Sequence, residues 1–211
     1  MRVGGADGRW PAPDRDGLHT VLKAGPRDDA GLDAEVAALE ALTSTATVAL
    51  PTLAWDEVVD GWRVVAMQAF TGTEPVADLD RVAELATQLV RGDLGQPVVH
   101  GDLAPWNMAG VGGANVVWDW EEAELGAVRP LHDLTHYVIR SGTLLGSCTP
   151  HEAARLLTGP SGPGAHHLRA LGLDPAKAPS YVRTYLDRTE ASTAEERTFR
   201  RALAAALPPT K

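Results

Sequence analysis

No run of apolar residues in this 211-residue chain approaches the roughly 20 that would cross a bilayer, and the opening Met-Arg-Val-Gly-Gly carries no secretory apolar segment. No membrane partner is expected, and the cytoplasm is the expected location. Cysteine is almost missing. Cys148 stands alone, which excludes an internal disulfide and a soft-metal site of paired thiols. Positive charge is also short. A formal net charge of -9 argues against nucleic acid as a partner, because a phosphate backbone demands a basic face. The same balance suits a cationic substrate. Internal repeats and low-complexity tracts are absent too, which excludes solenoid and linker architectures.

What is present is 44% apolar residues, enough to bury a core in one domain or in two small lobes that share a cleft. Residues 1–17 are rich in Gly, Pro and Asp and read as turns and short extended pieces. Thr20-Val21-Leu22-Lys23 reads as a short strand. Residues 28–42 read as a helix, with Leu32, Val36 and Leu39 at helical spacing and Glu35 beside that stripe. If the helix packs across the strand, Lys23 and Glu35 meet. Residues 53–59 and 62–67 are β-prone runs joined by Asp60-Gly61, the strongest hairpin signal in the chain. Three strands and one helix thus make a small first lobe over residues 1–70.

The second lobe, residues 71–211, opens with a crossover and an amphipathic helix over 78–91. Residues 98–110 read as a polar loop, and the strand 115–118 delivers Asp119 at its end. A periodic helix follows over 131–145. Thr149-Pro150-His151-Glu152 supplies a cap, a first-turn proline and a capping-box acid for the next one, and Ser192 with Glu195 repeats the capping box before the last. Residues 159–164 read as a flexible joint. The fold class is α+β.

Phosphoryl transfer requires a carboxylate near the attacking hydroxyl, oxygen and amide ligands for magnesium, and a cation on the nucleotide phosphates. The run Val98-Val99-His100-Gly101-Asp102-Leu103-Ala104-Pro105-Trp106-Asn107 supplies the first two. Asp102 and Asn107 stand five apart in a loop and face one point if that loop wraps, which Pro105 favours. Asp119 adds a second carboxylate, within Asp119-Trp120-Glu121.

These residues resemble the catalytic core of the aminoglycoside phosphotransferase and choline kinase branch of the protein-kinase-like superfamily, closely over residues 98–137 and more loosely over 23–70. The resemblance implies a two-lobed kinase-like fold in reduced form, with an antiparallel-sheet N-lobe carrying one helix and a mainly helical C-lobe. It implies Asp102 as catalytic base or hydroxyl-orienting carboxylate, with His100 as the scaffold of the catalytic loop. Asn107 and Asp119 become ligands of Mg2+, Lys23 the cation on the α- and β-phosphates, and Glu35 the residue that positions Lys23. Met67, Gln68, Ala69 and Phe70 become the adenine-facing segment, working through backbone groups. Asp133, in Leu131-His132-Asp133-Leu134-Thr135-His136-Tyr137, is expected to buttress the catalytic loop.

The implied activity is that of a kinase: Mg2+-dependent transfer of the γ-phosphate of ATP or GTP to a hydroxyl of an aminoglycoside-, sugar- or amino-alcohol-like molecule. Two alternatives are a Ser/Thr peptide kinase in a natural-product pathway and a pseudokinase that only binds nucleotide or a partner protein. Two departures from the family pattern bear on the choice. The phosphate-covering glycine loop falls on Gly4, Gly5 and Gly8, so close to Met1 that the chain is expected to begin late or to have its lobe completed by a partner protein or a second copy. The insertions that enclose substrate are mostly missing, which predicts an open acceptor site.

Other features carry plainer readings. His132 and His136 share a helix face, but no third ligand stands at a metal-site spacing. His166-His167 reads as a surface pair. The six tryptophans read as packing residues, with Trp106 able to reach substrate. Glu121, Glu122 and Glu124 read as a solvated face, or as an attractor for an amine-bearing acceptor.

Overall fold

The computed structural model describes residues 10–13, 19–70, 73–76 and 78–209; the candidate glycine loop of Gly4, Gly5 and Gly8 lies outside them. A four-stranded antiparallel sheet comes first, in the order β1-β2-β5-β4. Its strands are β1 (Trp10–Pro13), β2 (His19–Pro26), β4 (Leu53–Val59) and β5 (Trp62–Gln68). Asp60 and Gly61, with φ of 52° and 82°, turn β4 into β5. Both are left-handed, as a two-residue hairpin turn that matches the strand twist requires. The sheet has one strand more than the sequence predicts. Two of the four residues of β1 are prolines, which give no ladder N–H and are confined to edge strands, so propensity hides it.

Helix α1 (Ala30–Ala41) starts where the Asp29 carboxylate accepts the N–H groups of Gly31 and Leu32 at 2.9 and 3.1 Å. That cap sets the helix start two residues after the predicted one. Leu32 and Val36 pack with Val65 and Met67 of β5 into a small apolar cluster of their own. Further along, Ala38 and Leu42 join a much larger cluster, so α1 straddles two cores.

The larger core belongs to the helical part. Helix α2 (Leu79–Arg91) is capped by Asp78 and ended by Gly92 at φ 80°, where a Cβ would stand 2.7 Å from the Pro97 nitrogen. Only glycine fits there. Strand β3 (Val48–Ala49) runs parallel to β8 (Ala114–Val117), which pairs with β7 (Met108–Val111), while β6 (Val98–Val99) pairs with β9 (Glu124–Leu125). The predicted loop over 98–110 therefore contains parts of two strands, and only its centre is irregular. These strands are too short to show a period, and their pairing partners create them.

Helices α3 (His132–Leu144), α4 (Pro150–Thr158), α5 (Pro163–Ala170), α6 (Ala178–Arg188) and α7 (Ala194–Ala206) surround Leu85, Leu89, Leu134, Ile139, Leu157 and Leu203. Each such side chain contributes about 1.5–3 kcal/mol when removed from water. The capping box at Thr149 and Glu152 forms as predicted. The second is displaced by one residue: Thr193 caps α7 by accepting the Glu196 N–H, and Glu196 instead reaches back to the Ser192 N–H and hydroxyl. Buried Glu196 also pairs with Arg200 and Arg140, and those partners set the register. Residues 159–164 form a tight corner. A Cβ on Gly162 would stand 2.6 Å from the Leu156 carbonyl oxygen, and one on Gly164 would overlap that of Leu157.

Candidate active site

Lys23 lies in the middle of β2 and is 4% exposed. Its ammonium pairs with Glu35 of α1 and donates to Asp119 Oδ1 and Glu121 Oε1, each at 2.7 Å. Burial works against the charged lysine, but the carboxylates of Glu35 and Asp119 outweigh it and raise its pKa above the ordinary value. Burial likewise holds the Glu35 carboxyl above the usual range, with Lys23 opposing it. The predicted meeting of Lys23 and Glu35 occurs. Glu121, read from the sequence as part of a solvated face, joins them.

Asp119 stands two residues beyond the end of β8 with φ of 71°, a left-handed conformation that is uncommon for a residue with a side chain. This turn sends the Asp119 carboxylate to Lys23 while the Trp120 indole is fully buried and donates to the Val117 carbonyl. One oxygen each from Glu35, Asp119 and Glu121 lie within 4.8 Å of one another, a spacing able to hold a cation.

The buried strand β6 delivers His100, whose ring is fully buried and lies 4.5 Å from the Trp120 ring, centroid to centroid. Burial pushes its pKa down, so the neutral ring donates from Nε2 to the Trp118 carbonyl oxygen at 3.1 Å. Gly101 has φ of 86°, and a Cβ there would overlap the Glu122 carbonyl oxygen. The N–H groups of His100 and Gly101 donate to the two oxygens of buried Asp133, at 3.0 and 3.1 Å. Asp133 thereby ties the loop to the first turn of α3.

Beyond Gly101 the loop wraps. Asn107 Nδ2 donates to Asp102 Oδ2 at 2.9 Å and to the Asp102 carbonyl at 2.8 Å. Asn107 Oδ1 is buried and has no hydrogen-bond partner among the described residues. The other Asp102 oxygen, Oδ1, lies 2.8 Å from His136 Nε2, and His136 Nδ1 lies 2.9 Å from the Tyr185 hydroxyl. Burial would raise the Asp102 pKa, but the hydrogen bond that His136 donates, with the Arg140 guanidinium nearby, holds it below the usual carboxylate range.

Two cavities meet at this spot. One, of about 270 Å³, is lined by Lys23 and Glu35, by Met67, Gln68, Ala69 and Phe70, and by Asp119. The other, of about 410 Å³, is lined by Asp102, Glu122, His136, Arg140, Tyr185 and Glu190 among others. Asp119 borders both. All ten residues singled out from the sequence lie in this region, either on a cavity wall or, for His100 and Asn107, in the loop between. Sequence reasoning missed Arg140 and Tyr185, and it considered His136 only as a metal ligand. The four-residue spacing of His136 and Arg140 puts both on one face of α3, a signal the sequence did hold. Nothing marks Tyr185 before α6 is placed. Trp106 is 38% exposed, with the Arg140 guanidinium 5.2 Å from its ring centre.

The chain is similar in structure to the amicoumacin kinase hAmiN, solved in complex with AMP-PNP, Ca2+ and Ami. The match has 11% identity and a TM-score of 0.55, and covers 99% of this chain and 88% of that one. The bifunctional kinase-methyltransferase WbdD matches at 11% identity and a TM-score of 0.50, over 89% of this chain and 47% of that one. A thermostable mutant of aminoglycoside phosphotransferase APH(4)-Ia in its apo form matches at 14% identity and a TM-score of 0.49, over 92% and 88%. At such identities the likeness is one of fold: an antiparallel sheet followed by a mostly helical part, as in the kinase-like neighbours. No protein-family model and no curated protein sequence matches the chain, and among the described residues no helix is long and apolar enough to cross a membrane.

Proposed function

We propose, from this kinase-like fold and from the side chains gathered where the two cavities meet, that the chain is a phosphotransferase moving the γ-phosphate of ATP or GTP to a small-molecule hydroxyl. The observation that carries the reading is the position of Asp119, with Lys23 and the 67–70 segment on one side and Asp102 on the other. The nucleotide would occupy the first cavity, its base beside residues 67–70 and its α- and β-phosphates near Lys23. hAmiN was solved with AMP-PNP, an ATP analogue, which supports nucleotide binding in this fold.

The residues present fit a magnesium ion. Asn107 Oδ1 is a buried oxygen with no hydrogen-bond partner among the described residues, and Asp119, whose carboxylate lies within 4.8 Å of those of Glu35 and Glu121, borders both cavities. Asn107 and Asp119 would hold the ion, which when bound supplies charge neutralisation on the phosphate oxygens. Asp102 orients the acceptor hydroxyl and takes its proton as the acceptor oxygen bonds to the γ-phosphorus. The bond to the β-phosphate oxygen breaks, leaving a nucleoside diphosphate. Positioning and charge account for the rate. The acidic second cavity suits an amine-bearing acceptor, whose ammonium groups would meet Glu122 and Glu190.

The test is incubation with γ-labelled ATP or GTP and magnesium against a panel of aminoglycosides, sugars and amino alcohols, with peptides as a parallel arm. Label on a small hydroxyl compound is expected. Label on peptides alone would replace the small-molecule reading, and nucleotide binding without transfer to any acceptor would overturn both. Asp102→Asn is expected to cut transfer about 100-fold or more while nucleotide affinity is kept. Asp119→Asn should lose the magnesium-dependent part of that affinity, and equal affinity would count against the metal assignment.

A further inference from the structure

Asp102 is held from both sides by groups on different elements. Asn107 from its own loop occupies Oδ2, and His136 from α3 occupies Oδ1, at 2.9 and 2.8 Å. One turn beyond His136, Arg140 brings its Nε to 4.0 Å from the same Oδ1. The far nitrogen of His136 meets Tyr185 from α6, and Tyr185 is itself wedged. It is 3% exposed, with the Arg200 guanidinium 5.4 Å from its ring centre and the His132 ring edge-on at 5.0 Å.

The order of donors follows from chemistry. An ionised carboxylate only accepts, so the His136 nitrogen facing Asp102 carries the hydrogen. In the neutral ring Nδ1 then accepts, and the Tyr185 hydroxyl donates to it. Burial pushes the Tyr185 pKa up to about 12, which keeps that hydroxyl a donor. The direction of bonding therefore runs Tyr185 to His136 to Asp102, and it reaches the carboxylate from the side opposite Asn107.

We propose that His136, fixed in one tautomer by Tyr185, is a positioning residue that locks the plane of the Asp102 carboxylate for the acceptor hydroxyl. This inference rests on the phosphotransfer reading of the site. A carboxylate bonded at one oxygen only can rotate about its Cβ–Cγ bond. One bonded at both keeps a single orientation, and small errors of placement at a reacting group are expensive in rate. Because His136 also lines the second cavity, a role in holding the acceptor itself is the competing account.

Kinetics and histidine ring spectra together separate these accounts. With magnesium-ATP as substrate and water as acceptor, His136→Ala is expected to lower kcat roughly 10- to 100-fold, with KM for the nucleotide changed less than about twofold. His136→Gln places an amide N–H near the lost Nε2–H and should regain most of that rate; Tyr185→Phe should fall between. An unchanged kcat in His136→Ala, as a role in holding the acceptor alone would give, or equal damage in Ala and Gln variants that both melt cooperatively, would each overturn the proposal. In 15N ring spectra of the wild type, the histidine missing from His136→Gln should show the Nε2–H form. Its Nε2 signal should move in Asp102→Asn and its Nδ1 signal in Tyr185→Phe. An Nδ1–H form that ignores both changes would overturn the positioning role. Absence of turnover in the wild type with water and with every acceptor of the panel would overturn the phosphotransfer reading instead, and the ring spectra still decide the hydrogen-bond chain.

Discussion

His167 lies under the start of α3, where it accepts the N–H of the cap residue, as the acid of a capping box would. Leu131, left-handed at φ 62°, makes no side-chain cap bond of its own, and its N–H donates to His167 Nε2 at 3.1 Å. The other nitrogen lies 2.9 Å from the Thr87 hydroxyl. Burial is the main cause that pushes the His167 pKa down to about 4, with the Ala83 carbonyl and Asp133 opposing. The folded chain thus binds this proton less readily than the unfolded chain. The stabilisation is complete above the unfolded value near pH 6.5 and is lost as pH falls toward about 4, by on the order of 3 kcal/mol. Urea midpoints at about pH 7 and about pH 4.5 should drop in the wild type, and the drop should shrink in His167→Gln; parallel slopes would refute this. The sequence shows a His166-His167 pair and cannot say which face of α5 meets α2. His166, exposed beside Asp80, fits the surface reading, and His167 does not. The gathering of Asp102, Asn107 and Asp119 was legible from motif spacing, and that of Lys23 and Glu35 from the family resemblance; Tyr185 was not legible, because only tertiary packing brings it to His136.

At the scale of elements, caps and glycines separate what is local from what is imposed. Thr149 and Glu152 close their box through neighbours in sequence, so it could be read directly. Thr193 and Glu196 could not be placed to the residue, since Arg140 of α3, together with Arg200 one turn on in α7, decides which acid turns inward. Thr149→Ala should cost about 1 kcal/mol of unfolding free energy, as cap removals do. Gly164→Ala should cost more, because its methyl has to displace the Leu157 carbonyl against a close-packed interior. Denaturant titration of the two variants checks the order, and a Gly164→Ala protein as stable as wild type would contradict the tight corner. The strands β1, β3, β6 and β9 were hidden for different reasons. The first is half proline, and each of the others is two residues long.

For the whole molecule, the two apolar clusters are unequal. The sheet half keeps Leu32, Val36, Val65 and Met67 buried together, while the other cluster runs from Ala38 to Leu207. The β4–β5 hairpin leaves Trp55, Val58, Val59 and Trp62 exposed. Native-state hydrogen exchange should therefore show β4 and β5 opening at lower free energy than α2 and α3, and magnesium-ATP should raise protection in the sheet half more than in the helices. Sheet amides as protected as those of α2 without nucleotide would contradict this. The two-part plan was legible from the Asp60-Gly61 hairpin and the later run of periodic helices, whereas the share of each core was not, because α1 contributes to both.

The parallel pairing of Val48 and Ala49 with Asn115 and Val116 also sets an order of events during synthesis. Val48 and Leu50, buried in the large cluster of the finished protein, leave the ribosome well before β8 has been made. A nascent chain that has only formed the β4–β5 hairpin still carries this apolar stretch uncovered, and strand addition by β8 completes its cover. The strand that presents Asp119 to the cleft is thus also the one that ends the exposure of an earlier segment, so completion of the site and protection from aggregation arrive together.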